Sequence, residues 1–274
     1  MKILQNLEPK AVFQYFEEIS NIPRGSGNEK GISDYLLNFG KELGLESIQD
    51  EALNVMKELN MPQDHLFFSE ETETGIALIL VDDNSSQNEI VIVPGSCNTI
   101  TREEVQSIED VIKDAEYVLM QLEVNQDANN LVAELAQKYG CKMIINTAPY
   151  APMPDEFLSK AFMVTPNEVE AEEITGVHVE DLESAKKAAE YFFAKGVKQV
   201  LITLGSKGVF VSADGREEII PAYRVEALDT TGAGDAFNGG LLAALSKGQT
   251  IWEAVRFANA LAALSVQRLG TTPS

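Results

Sequence analysis

The sequence predicts an α/β fold, a mostly parallel sheet with helices on both of its faces. Two observations carry that expectation, and a third adds a smaller piece. From residue 117 onward, short strand-like runs alternate with segments of helical period. Two apolar helical patterns, 233–247 and 250–267, then close the chain. Ahead of all of these, two short apolar runs flank a polar turn and predict a separate β-hairpin.

In order, the elements are as follows. Val12, Phe13, Phe16 and Ile19 form one apolar stripe after Pro9. After the loop Ile22-Pro23-Arg24-Gly25-Ser26-Gly27, Asn28 can cap a second helix that presents Ile32, Tyr35, Leu36, Phe39 and Leu43 and ends at Gly44. The organisation changes near residue 55. The hairpin strands are 75–81 and 89–93, joined by the turn 82–88. Strands follow at 117–121, 142–146, 162–165, 199–204 and 209–212. Of the helices between them, 126–139 and 181–195 are the clearest. There is no internal repeat and no low-complexity tract.

Composition narrows the function. A chain of 274 residues with 45% hydrophobic content can bury a sizeable core in one or two domains. Lys and Arg number 21 against 43 acids, a formal charge of −22. Such a surface repels phosphate backbones, so neither nucleic acid nor an anionic membrane is an expected partner. Any nucleotide must then be held by local backbone donors and metal. Cys97 and Cys141 are isolated, with neither metal spacing nor a disulfide framework, which suits reduced thiols in the cytoplasm. No membrane span or export signal is visible.

The stretch with the most chemistry in it is Asp229-Thr230-Thr231-Gly232-Ala233-Gly234-Asp235-Ala236-Phe237-Asn238-Gly239-Gly240. Small residues at Gly232, Ala233 and Gly234 allow a sharp turn and close approach to a ligand. The helix that follows directs unpaired N–H groups and a positive dipole end at whatever lies in front of it, an anion site. Asp235 adds a proton acceptor in the same turn. Asn167-Glu168-Val169-Glu170 reads on spacing alone as a capping box. The loop Thr203, Leu204, Gly205, Ser206, Lys207, Gly208 follows a strand, where open α/β sheets place ligand loops; its plainer reading is a simple turn. Glu123 ends another strand. Asn259 would by default be a polar surface residue, and His65 and His178 ordinary surface histidines.

The twelve-residue stretch resembles the signature of the ribokinase family, the phosphofructokinase-B type of sugar kinase. The likeness runs from about Met56 to Ser274 through Thr74-Gly75-Ile76-Ala77-Leu78, Gln121-Leu122-Glu123, Thr165-Pro166-Asn167-Glu168-Val169-Glu170, Thr203–Gly208 and Arg256-Phe257-Ala258-Asn259-Ala260. It implies a ribokinase-like sheet with a lid remnant at about 74–95, and phosphoryl transfer from ATP to the primary hydroxyl of ribose. By resemblance Asp235 is the catalytic base and Gly232, Ala233 and Gly234 are the anion hole. Asn167, the 203–208 loop and Asn259 line the nucleotide, and Glu123 joins Asp235 on the substrate side. Asn167 and Glu170 organise Mg2+ with its waters, and Asp229, Thr231, Ser265, Arg268, Gly270 and Ser274 match a K+ site. The lid strands imply a homodimer.

The opening does not follow this family. Residues 1–55 resemble the N-terminus of a bacterial aminoacyl-histidine dipeptidase, so a foreign helical segment at 1–55 and a partial kinase domain at 56–274 are expected. The family's Gly-Ser-x-Asn-x-Asp strand and Gly-Gly-Lys-Gly-Ala-Asn loop, which hold the sugar, do not occur in the sequence; Gly25-Ser26-Gly27-Asn28 lacks the preceding strand. The expectation is a kinase whose phosphoryl-transfer half is intact and whose turnover on ribose is impaired. Two alternatives stand beside it: a non-catalytic hybrid that only binds nucleotide, and a zinc dipeptidase, which would need more metal ligands than two histidines supply.

Overall fold

The structure, a computed structural model, describes residues 51–69, 71–81 and 88–268. The helical patterns at 12–19 and 32–43 lie outside these residues, as do Gly270 and Ser274. The chain divides into two compact units between Leu66 and Phe67. The described part of the first holds helix α1 (Glu51–Glu58).

In the second unit, β1 (Ile76–Val81) and β2 (Asn88–Val93) form the expected antiparallel ribbon, with Ile76 opposite Val93. Two short helices, α2 (Arg102–Ser107) and α3 (Glu109–Asp114), lead into the larger sheet. That sheet contains β3 (Tyr117–Met120), β4 (Lys142–Ile145), β5 (Met163–Val164), β6 (Gln199–Thr203), β7 (Val209–Ala213) and β8 (Arg216–Ile220). They lie side by side in sequence order, parallel from β3 to β6 and antiparallel at the β6–β7 and β7–β8 pairs.

Successive strand residues face opposite sides of the sheet, and both sides are covered. Met143, Ile145, Val164, Val200, Ile202 and Phe210 pack on one face against α4 (Gln126–Tyr139) and α7 (Leu182–Ala194), which contributes Ala185, Ala188, Ala189 and Phe192. Their neighbours Ile144, Met163, Leu201, Val209 and Val211 pack on the other. There they meet Phe237, Leu241 and Ala244 of α8 (Ala233–Ser246) and Ala254, Val255 and Ala258 of α9 (Ile251–Ser265). This is the two-faced α/β architecture expected from the sequence. Two further helices are short, α5 (Asp155–Leu158) and α6 (Glu168–Thr175).

Because β3, β5 and β6 run parallel, the loops after them emerge at one edge of the sheet. Gln121–Glu123, Thr165–Asn167 and Thr203–Gly208 therefore share that edge. The remaining piece, the start of α8, is tied to it by side chains.

Candidate active site

Gly232 is the N-cap of α8 and takes a left-handed conformation (φ 77°), where an L side chain is strained. No side chain caps this helix start. Ala233 N–H donates to the Thr230 carbonyl at 3.2 Å, whereas the N–H groups of Gly234 and Asp235 find no acceptor among the described residues. Donors left without an acceptor among the described residues, at a positive dipole end, have the chemistry that suits an anion. Asp235, in the same turn, is open to solvent, yet the surrounding protein displaces enough water to push its carboxyl pKa up from 3.8.

The next loop is built around a buried acid. Glu170 is 8% exposed. One of its oxygens accepts from the Asn167 N–H at 3.0 Å and the Thr147 hydroxyl at 3.2 Å, and the other from the Asn167 side-chain amide at 3.0 Å. Glu170 N–H returns a bond to Asn167 Oδ1 at 2.8 Å, so the capping box is complete. Burial raises the Glu170 pKa, opposed by the hydrogen bonds from Asn167 and Thr147. Thr203 N–H donates to the Pro166 carbonyl at 2.9 Å, which sets this loop beside the end of β6.

After β6, Leu204 N–H donates to the Gly208 carbonyl and Gly208 N–H to the Gly205 carbonyl, closing a tight loop. Ser206 is exposed and Leu204 is buried under the loop. The Lys207 ammonium donates to the Glu180 carbonyl at 2.9 Å, anchoring the loop to the α6–α7 connection. Asn259 is 7% exposed, not the surface residue expected by default. Its amide reaches the carbonyls of Ile220 at 3.4 Å and Pro221 at 3.3 Å, pinning the chain that leaves β8.

Of the residues matched to a cation site, the four described ones, Asp229, Thr231, Ser265 and Arg268, lie where α9 ends. Leu228 and Asp229 N–H groups both donate to the Val266 carbonyl, and Asp229 Oδ1 accepts from Thr231 N–H at 2.9 Å. Ser265 and Arg268 are in the same turn, joined by Arg268 N–H to the Ser265 carbonyl. Glu123 is exposed, its N–H donated to the Gln121 side chain. Asn129 donates to the Gln121 carbonyl and steadies that loop. His65 is exposed, and His178 pairs at the surface with Glu172, which raises its pKa.

Three residues were not anticipated. Thr147 supports Glu170, and Thr165 and Asn238 link the sheet to α8: the Thr165 hydroxyl donates to Asn238 Oδ1 at 2.8 Å, and Asn238 Nδ2 donates to the Gly234 carbonyl at 2.9 Å. Thr165 and Asn238 both lie within the motifs quoted above, but nothing in the sequence paired them.

The sequence and the fold match known proteins. The model of the pfkB family carbohydrate kinases matches residues 38–274. A ribokinase from Haemophilus influenzae is 41% identical over 232 residues, covering 85% of this chain and 76% of that protein. The structure of ribokinase from Thermotoga maritima superposes with a TM-score of 0.71 at 31% identity, over 83% of this chain and 74% of that one. Arabidopsis thaliana ribokinase, solved with ribose and ATP, gives a TM-score of 0.67 at 31% identity, over 74% of this chain and 66% of that one.

Proposed function

The chain belongs to the pfkB family of carbohydrate kinases, and from that premise we propose that it transfers the γ-phosphoryl group of ATP to the primary hydroxyl of ribose. The observation that carries the proposal is the start of α8, where unpaired N–H groups and Asp235 share one turn. Asp235 takes the proton of the attacking hydroxyl as the Gly234 and Asp235 N–H groups receive the charge that develops on the phosphoryl oxygens. Asn167 and the 203–208 loop hold the phosphates, with Asn259 on the nucleotide side and Glu123 facing the sugar.

The residues present fit a magnesium ion handled through water. Asn167 and Glu170 supply hard oxygens, and Glu170 Oε1, which accepts a single hydrogen bond, keeps acceptor capacity beyond it. The ion would neutralise phosphate charge when bound. A potassium ion suits the turn of Asp229, Thr231, Ser265 and Arg268, where a carboxylate meets the negative end of α9. A reducing cytoplasm suits the two free cysteines.

The test is a coupled assay of ADP release with saturating ribose, magnesium and potassium. Release should depend on ribose but be slow, because the family's sugar-holding loop does not occur in the sequence. A version carrying the N-terminal segment of a ribokinase should turn over at least about tenfold faster, since positioning the acceptor is a large part of such a rate. Equal rates would mean that the sugar is held elsewhere, and absence of ribose-dependent release from both would reject the substrate.

We further propose a homodimer through the β1–β2 ribbon. An isolated two-stranded ribbon is at best marginally stable, and Ile76, Ile92 and Val93 are exposed on it. Light scattering at tens of micromolar should give twice the chain mass of 30.0 kDa. A monodisperse monomer would refute this.

A further inference from the structure

We propose that Thr165 and Asn238 form a positioning relay that orients the peptide group presenting the Asp235 N–H to the transferred phosphoryl group. The inference rests on the kinase reading above and deepens it. Thr165 is fixed to the sheet, its N–H donating to the Ile145 carbonyl at 2.9 Å, and it is 2% exposed. Its hydroxyl donates to Asn238 Oδ1 at 2.8 Å, and Asn238, itself 6% exposed, donates through Nδ2 to the Gly234 carbonyl at 2.9 Å. The Gly234 carbonyl and the Asp235 N–H belong to one planar peptide unit, so a bond that holds the carbonyl also aims the N–H. Donation into the carbonyl polarises the same unit, making its N–H a stronger donor.

The arrangement is more than packing. Two polar side chains are buried where apolar ones would fill the space without hydrogen-bond requirements. Their bonds run in one direction, from the sheet to the anion-facing peptide. Thr165 also lies two residues before Asn167, in the loop proposed above to hold the phosphates. The relay thus keeps the two phosphate-facing loops in register.

A ligand that reaches the start of α8 should feel the relay, and a shorter one should not. The probes are ATP–Mg and ADP–Mg, titrated by calorimetry into the full chain, with thermal melts alongside. Thr165→Val should weaken ATP–Mg about tenfold, the scale of one hydrogen bond to a charged group, and leave ADP–Mg within about twofold. Thr165→Ser, which keeps the hydroxyl, should restore the preference. Asn238→Asp keeps the acceptor for Thr165 but loses the donor to Gly234, and should show the same selective loss. Equal weakening of both nucleotides, or an unchanged ratio in either variant, would overturn the relay in favour of a structural role. A wild-type chain that binds neither nucleotide would overturn the kinase reading and the relay with it.

Discussion

Replacing Asp235 by Asn should lower turnover by about two to four orders of magnitude, the range lost with a general base, and leave ATP affinity almost unchanged. The measurement is made on the chain supplied with a sugar-holding segment, so that the acceptor is in place. The carboxamide keeps the shape and loses the proton acceptor. Two pH readouts follow from the partial desolvation that raises the pKa of this carboxyl above 3.8. The base works ionised, so the acid limb of kcat/KM should lie above that value. The folded state binds the proton more tightly than the unfolded state, so the group's contribution to stability is present below pH 3.8 and lost as pH rises through the folded pKa. At neutral pH the Asn variant should melt no lower than the wild type, which separates a catalytic defect from misfolding. Near-normal turnover would reject Asp235 as the base.

The second large effect is expected at Gly208. Its φ is +114°, and a Cβ there would stand 2.0 Å from the Ile220 carbonyl oxygen and 2.8 Å from both Ala222 N and Pro221 Cα. All three are backbone atoms, so no rotamer change relieves the clash. Gly208→Ala must therefore shift the chain leaving β8 away from the 204–208 loop and from Asn259. Strained backbone plus displaced strand ends should cost about 3 kcal/mol or more, a large part of the roughly 5–15 kcal/mol that holds such folds together. Chemical denaturation reads this directly, and nucleotide binding should fall with it. A wild-type denaturation midpoint would show that the loop and β8 do not depend on this close approach.

How much of this was legible depends on whether the signal was local. Helix α4 coincides with the expected 126–139, and Gly140 stops it in a left-handed conformation. The hairpin strands and β3 to β7 were found within a residue or two, because their apolar runs are contiguous. Strand β8 was missed: Arg216, Glu217 and Glu218 are the charges of a sheet edge, and the Asp214-Gly215 turn was its one clue. Helices α2 and α3 were missed too, although Thr101 and Glu104 spell a capping box. The glycine turn that opens α8 was readable because its parts are adjacent in sequence. Thr165 and Asn238, 73 residues apart, were not, since no periodicity records a contact across the core. The burial of Asn259 was not legible, because only the fold places the Ile220 and Pro221 carbonyls within its reach.

The sequence-ordered sheet has a consequence for biosynthesis. Each strand from β4 to β8 docks beside the one made just before it, so the sheet can grow as the chain leaves the ribosome. Its two faces are not covered together. The helices of one face, α4 and α7, are interleaved with the strands, but α8 and α9 emerge only after β8. Until residues 233–265 are released, Ile144, Met163, Leu201, Val209 and Val211 remain open to water on a nearly finished sheet. The nascent protein thus exposes a sticky surface late in translation, and the helix that covers it also carries Asp235, so the cover of the sheet and the proposed base arrive in the same step.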